Sequence, residues 1–110
     1  MAAAERFLVL ARDLRMAALG RDGNPPGVSR HSVGSLGGRI DALAAYLPPC
    51  HAAVARTKAA RLGTQDVGLT PAEALELARW LEAMAVHAQP AGAGARATAP
   101  AAAPSGGDAA

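Results

Sequence analysis

Large apolar residues recur along residues 3–19 at helical spacing. Phe7, Leu10, Ala11, Leu14 and Ala18 share one side of a 3.6-residue period, and Gly20 is a natural stop. A second strip, Leu8, Met16 and Leu19, lies beside Arg12 and Arg15, so this first helix has more apolar surface than one core-facing side uses. The pattern predicts a second helix over about 33–47, starting near Ser32 or Ser35, in which Val33, Leu36, Ile40, Leu43 and Leu47 are spaced 3, 4, 3 and 4 apart. Pro48 and Pro49 end it.

A third helix is predicted over about 50–62, with Pro49 able to serve as its first residue and Gly63 as its stop. Only Val54 and Leu62 give it bulk, while Ala52, Ala53, Ala55, Ala59 and Ala60 make a smooth rod, so it is expected to cover one side of a core built by the other helices. The fourth, about 71–88, has the clearest start: Thr70-Pro71-Ala72-Glu73 is a capping box with proline in the first helical position, and Leu69 can staple onto the first turn. Its seam is Ala74, Leu77, Leu81 and Met84, with Trp80 at the edge and Glu73, Glu76 and Glu82 facing water.

Between the first two helices, residues 20–32 carry Asp-Gly, Asn-Pro and Pro-Pro-Gly, which exclude helix and strand and leave a long loop that is either mobile or a binding element. Within 90–110, Ala, Gly and Pro fill 17 of 21 positions, so no large side chain offsets the entropy of ordering and the segment reads as a disordered tail. The expected fold is all-α: a small bundle of three or four helices within 1–89, followed by that tail.

Composition thins this core. Thirty of the 110 residues are alanine, and there is one Phe, one Trp and one Tyr, so packing must be aliphatic. Ten Arg against one Lys fits a GC-rich, bacterial-type coding background. Residues 1–62 carry nine basic and four acidic side chains whereas 63–89 carry one and four, giving a mildly basic body and an acidic last helix. Cys50 alone can form no intramolecular disulfide, and no run approaches the roughly 20 apolar residues of a membrane span. The chain reads as cytoplasmic, with no membrane partner.

Gly34-x-x-Gly37-x-x-Ile40-x-x-Leu43 resembles the signature loop and helix of KH RNA-binding domains, over about ten residues. That resemblance implies a glycine turn laid against phosphates; Ser35 and Leu36, at its inner positions, bring no positive charge. With Arg30, Arg39, Arg56, Lys58 and Arg61, residues 30–62 make up a nucleic-acid alternative. Arg30-His31-Ser32 ahead of the second stripe looks like the phosphoacceptor helix of histidine kinases and phosphotransfer proteins, which implies His31 as the acceptor. Cys50-His51 invites a metal reading, but one cysteine and the scattered His31, His51 and His87 show no ligand spacing. No catalytic constellation is visible and no cofactor is called for. The expectation is therefore a non-enzymatic interaction or regulatory module that binds a larger protein or itself, through Leu8, Arg12, Arg15, Met16 and Leu19.

Overall fold

The computed structural model of the chain describes residues 2–20, 23 and 25–90. They form four α-helices: α1 (Ala3–Leu19), α2 (Arg30–Leu43), α3 (Pro49–Gly63) and α4 (Pro71–Ala85). The described residues contain no strand beyond a single antiparallel bridge, Val28 with Leu69. The fold class is all-α, as the periodicity predicts. Apart from Pro90, the tail predicted over 90–110 lies outside the described residues, as do Arg21, Asp22 and Asn24 of the long loop.

Local chemistry sets the helix ends. α2 starts three residues before the predicted 33, because once past Pro25-Pro26 the chain turns at Ser29, whose extended backbone (φ −68°, ψ 156°) lets its carbonyl accept from the Ser32 and Val33 N–H groups. α2 also ends sooner. Its last turn tightens into a 3-10 helix at Ala44–Tyr46 so that Leu47 can be extended ahead of Pro48 while its side chain stays buried. The capping box of α4 forms as predicted: the Glu73 N–H donates to Thr70 Oγ1 at 3.1 Å and the Thr70 N–H to Glu73 Oε1 at 2.9 Å. α4 stops at Ala85, short of the predicted 88. There the N–H groups of Val86, His87 and Ala88 switch to carbonyls three residues back, and the Gln89 N–H crosses to the Tyr46 carbonyl at 2.8 Å.

Successive helices run antiparallel: the start of α1 meets the end of α2 (Arg6 over Tyr46) while its end nears Ser32, a five-residue turn joins α2 to α3, and the start of α3 meets the end of α4 (His51 on His87) while Arg61 lies beside Glu73. The approach distances are unequal: α1 lies closest to α4 and α2 closest to α3. Small residues explain the pairing, because interaxial distance is set by the side chains at the contact. α1 brings Ala4, Ala11 and Ala18 at seven-residue intervals, and α4 brings Ala74, Ala78 and Ala85. α2 and α3 bring buried Gly37 and Ala44 against buried Ala52, Ala55 and Ala59. At Gly37 a Cβ atom would sit 2.9 Å from the Ala59 carbonyl oxygen, so only glycine lets the two backbones come this near.

α3 is thus a full partner of α2 rather than a cover over one side, and Val54, read from sequence as part of its bulk, is 46% exposed. Phe7, Leu10, Val33, Ile40 and Leu81 fill the centre, each nearly or wholly inaccessible, and no polar or charged side chain is buried among the described residues.

Backbone contacts lace the ends of the bundle. Val28 and Leu69 exchange N–H···O=C bonds of 2.9 and 2.8 Å, and the Gly27 N–H donates to the Ala17 carbonyl at 2.7 Å. Gly27 holds φ +106°, and a Cβ there would lie 2.5 Å from the Leu69 oxygen, so glycine is required twice over. The latter part of the long loop is therefore a strap tied across the tops of α1 and α4.

Candidate interaction surfaces

The outer side of α1 keeps the second strip predicted for it. Phe7, Leu10, Ala11, Leu14 and Ala18 are buried, while Leu8, Met16 and Leu19 are 47%, 39% and 82% exposed. Because α3 packs on α2, it does not lie across this strip. Arg12 is exposed. Arg15 reaches over the α1/α4 seam and grips Glu82 with both edges of its guanidinium, Nε to Oε2 at 2.8 Å and Nη2 to Oε1 at 2.6 Å. The hydrogen bonds from Arg15, and secondarily its charge and that of Arg79, hold the Glu82 carboxyl below its ordinary range; the same pairing raises Arg15 further. The strip is thus apolar at both ends, with exposed Arg12 and the Glu82-bound Arg15 between them.

The residues of the nucleic-acid alternative do not come together. Arg30 and His31 are exposed in the first turn of α2, Arg56 is exposed on α3, and Arg39 is spent on Asp13 at 3.2 Å across the α1/α2 seam. Gly34 and Gly37 lie inside α2 and form no turn: Gly34 faces open space, and Gly37 is buried against α3. A phosphate-cradling turn is therefore absent at the position the KH-like spacing implies, because Ser29 starts the helix before the glycines are reached.

Lys58 and Arg61 do share a place, a groove of about 340 Å³ between α3 and α4. Leu62, Leu69, Leu77 and Trp80 line its floor, Lys58 and Arg61 stand on the α3 side, and Glu73 and Glu76 on the α4 side. The Lys58 ammonium lies 5.2 Å from the centre of the Trp80 ring. Sequence reading placed these residues on separate helices without joining them; that the chain's one lysine and one tryptophan each sit off their helix's main stripe was the available signal. A second groove of about 340 Å³ separates α1 from α2, where Arg6 covers the Tyr46 ring at 5.5 Å. A third hollow of about 410 Å³ lies under the strap, between Pro25, Pro26, Ser29 and the Asp13 side of α1.

His51 and His87, which looked scattered, stack with ring centroids 4.2 Å apart and planes at 26°. Stacked rings do not aim their nitrogens at a common point, and no group of three or more His, Cys, Asp or Glu among the described residues is placed to hold a metal. Cys50 beside them is an exposed thiol.

No described helix is long and apolar enough to cross a membrane. No protein-family model, curated protein or solved structure matches the chain.

Proposed function

We propose that this protein is a small, non-enzymatic helical interaction module that binds a larger protein through the outer face of α1. The observation that carries the reading is the exposure of Leu8, Met16 and Leu19 on a helix whose opposite side already fills the core. An apolar strip rimmed by arginine is the composition of a partner site rather than of a solvated face. From Leu8 to Leu19 it runs about 16 Å along α1, three helical turns.

Arg15 is already held by Glu82, so Arg12 is the charge this face offers, and a partner with a carboxylate between the two apolar ends meets it favourably.

The test is Met16→Glu with Leu19→Glu in the full chain. Helical circular dichroism and the melting temperature should hold while a partner retained by wild type in cross-linked pull-downs is lost. A double variant that keeps the same partner overturns the reading, as does a wild type that gives no partner and stays monomeric by light scattering.

A further inference from the structure

The groove between α3 and α4 exists because α3 spends its small side on α2. Ala52, Ala55 and Ala59 are buried there, so the side of α3 that meets α4 carries the longer Lys58 and Arg61, with Leu62 between the two sides. The floor is apolar: Leu62 is 7% exposed, and Leu69, Leu77 and Trp80 are partly buried. The rims are opposite in sign. Lys58 and Arg61 face Glu73 and Glu76 across the groove, yet among the described residues no ion pair joins the two sides. One oxygen of Glu73 caps Thr70, which leaves Glu76 as the less committed carboxylate. Lys58 rests on the Trp80 face, a contact that an incoming apolar group can replace while the ammonium turns to the lip.

We propose that this groove is a second docking site, independent of the α1 face, and that its occupant is a short amphipathic helix of a partner protein with acidic residues along one edge and basic residues along the other. Rim charge selects that occupant. A nucleic-acid backbone would meet Lys58 and Arg61 but be repelled by Glu73 and Glu76, and a uniformly basic helix would meet the reverse. A helix with segregated charge satisfies both rims at once, its apolar stripe lying on Leu62, Leu77 and Trp80. From Glu73 to Trp80 the groove runs about 10 Å along α4, enough for about two turns of bound helix.

Trp80 is the chain's one tryptophan, so its emission reads this groove directly. Three tryptophan-free helical peptides with the same leucine stripe are titrated into the full chain: one with an acidic and a basic edge, one with both edges acidic, one with both basic. The two-signed peptide should give a saturable change in Trp80 emission and bind about tenfold more tightly than either other, the scale of a few partly exposed ion pairs. Lys58→Glu with Arg61→Glu makes both rims acidic and should move the preference to the all-basic peptide; Glu76→Lys, a milder change on the other rim, should move it toward the all-acidic one. Met16→Glu with Leu19→Glu should leave all three affinities unchanged, which separates this site from the α1 face. No saturable response, equal affinities for the three peptides, or a ranking that neither rim variant moves would overturn the proposal.

Discussion

Two seams of this bundle are tight and two are open, and they have different chemistry. Along α1/α4 and α2/α3 alanine and glycine alternate with the large buried residues, and the helices draw together. Along α1/α2 and α3/α4 long side chains span the gap: Arg39 to Asp13, Arg6 over Tyr46, Lys58 over Trp80 and His51 on His87. Apart from the Arg15–Glu82 clip on the outside of α1/α4, these contacts collect where helix separation leaves them room. Close packing draws one pair of seams together and leaves grooves along the other pair.

The sharpest way to break this comparison is to enlarge one alanine on each kind of seam. Ala78→Leu, at a fully buried position of α4, should lose about 3 kcal/mol in urea unfolding, because α1 has no space to yield. Ala42→Leu, at the exposed edge of the α1/α2 groove, should change stability by less than about 0.5 kcal/mol. Equal losses would falsify the distinction.

Glycine tests the same idea within one helix. Gly37→Ala should destabilise by about 1–3 kcal/mol, because the new methyl meets the Ala59 backbone. Gly34→Ala, three residues earlier with open space around it, should stabilise by about 0.5–1 kcal/mol through helix propensity alone. Finding the same sign for both would mean that α2 and α3 are not in backbone contact.

A smaller effect lies at the end of a seam rather than along it. Thr70→Ala should cost about 1 kcal/mol by thermal melting, since the hydroxyl satisfies the Glu73 amide. A loss well beyond that would show that the α4 start also holds the Val28–Leu69 strap in place.

The weakest expected signal is the clip over the outside of the α1/α4 seam. Binding to Arg15 lowers the Glu82 pKa in the folded state, so its stabilisation is present at neutral pH and fades as pH falls through the carboxyl range, below about pH 4. Wild type and Glu82→Gln should therefore differ in denaturation midpoint at neutral pH and converge in acid. A gap that persists in acid would assign the difference to packing.

Much of this architecture was legible because large side chains mark faces. Phe7, Leu10 and Leu14 announced the inner side of α1, the 3/4 stripe is buried at Val33, Leu36, Ile40 and Leu43 of α2 and at Leu47 beyond it, and the Thr70–Glu73 box formed as read. Helix pairing was hidden because alanine sits on every side of α3, so periodicity does not show that Ala52, Ala55 and Ala59 are inside while Ala53 and Ala60 are out. The α4 seam was misjudged for the same reason: Ala78 and Ala85 are buried where Leu77 is only partly so. The α1 strip could be read because it breaks a pattern. The α3/α4 groove could not, since its two walls are far apart in the chain and meet only once the helices are placed.

That no polar side chain is buried among the described residues has a consequence for axial register. Greasy helices of similar length can slide past one another by a turn at little cost when no hydrogen bond in the interior objects, and alanine-lined surfaces are among the smoothest to slide on. Beside the Gly37–Ala59 fit and the two ion pairs along the flanks, fasteners against it sit at the two ends: the Val28–Leu69 backbone exchange with the Gly27 N–H on Ala17 at one, and the Gln89 N–H on the Tyr46 carbonyl at the other. These fasteners involve loop backbone, whose hydrogen-bond groups persist whatever the side chains, so the bundle is pinned like a stack of rods held by its end plates while its flanks stay free to change.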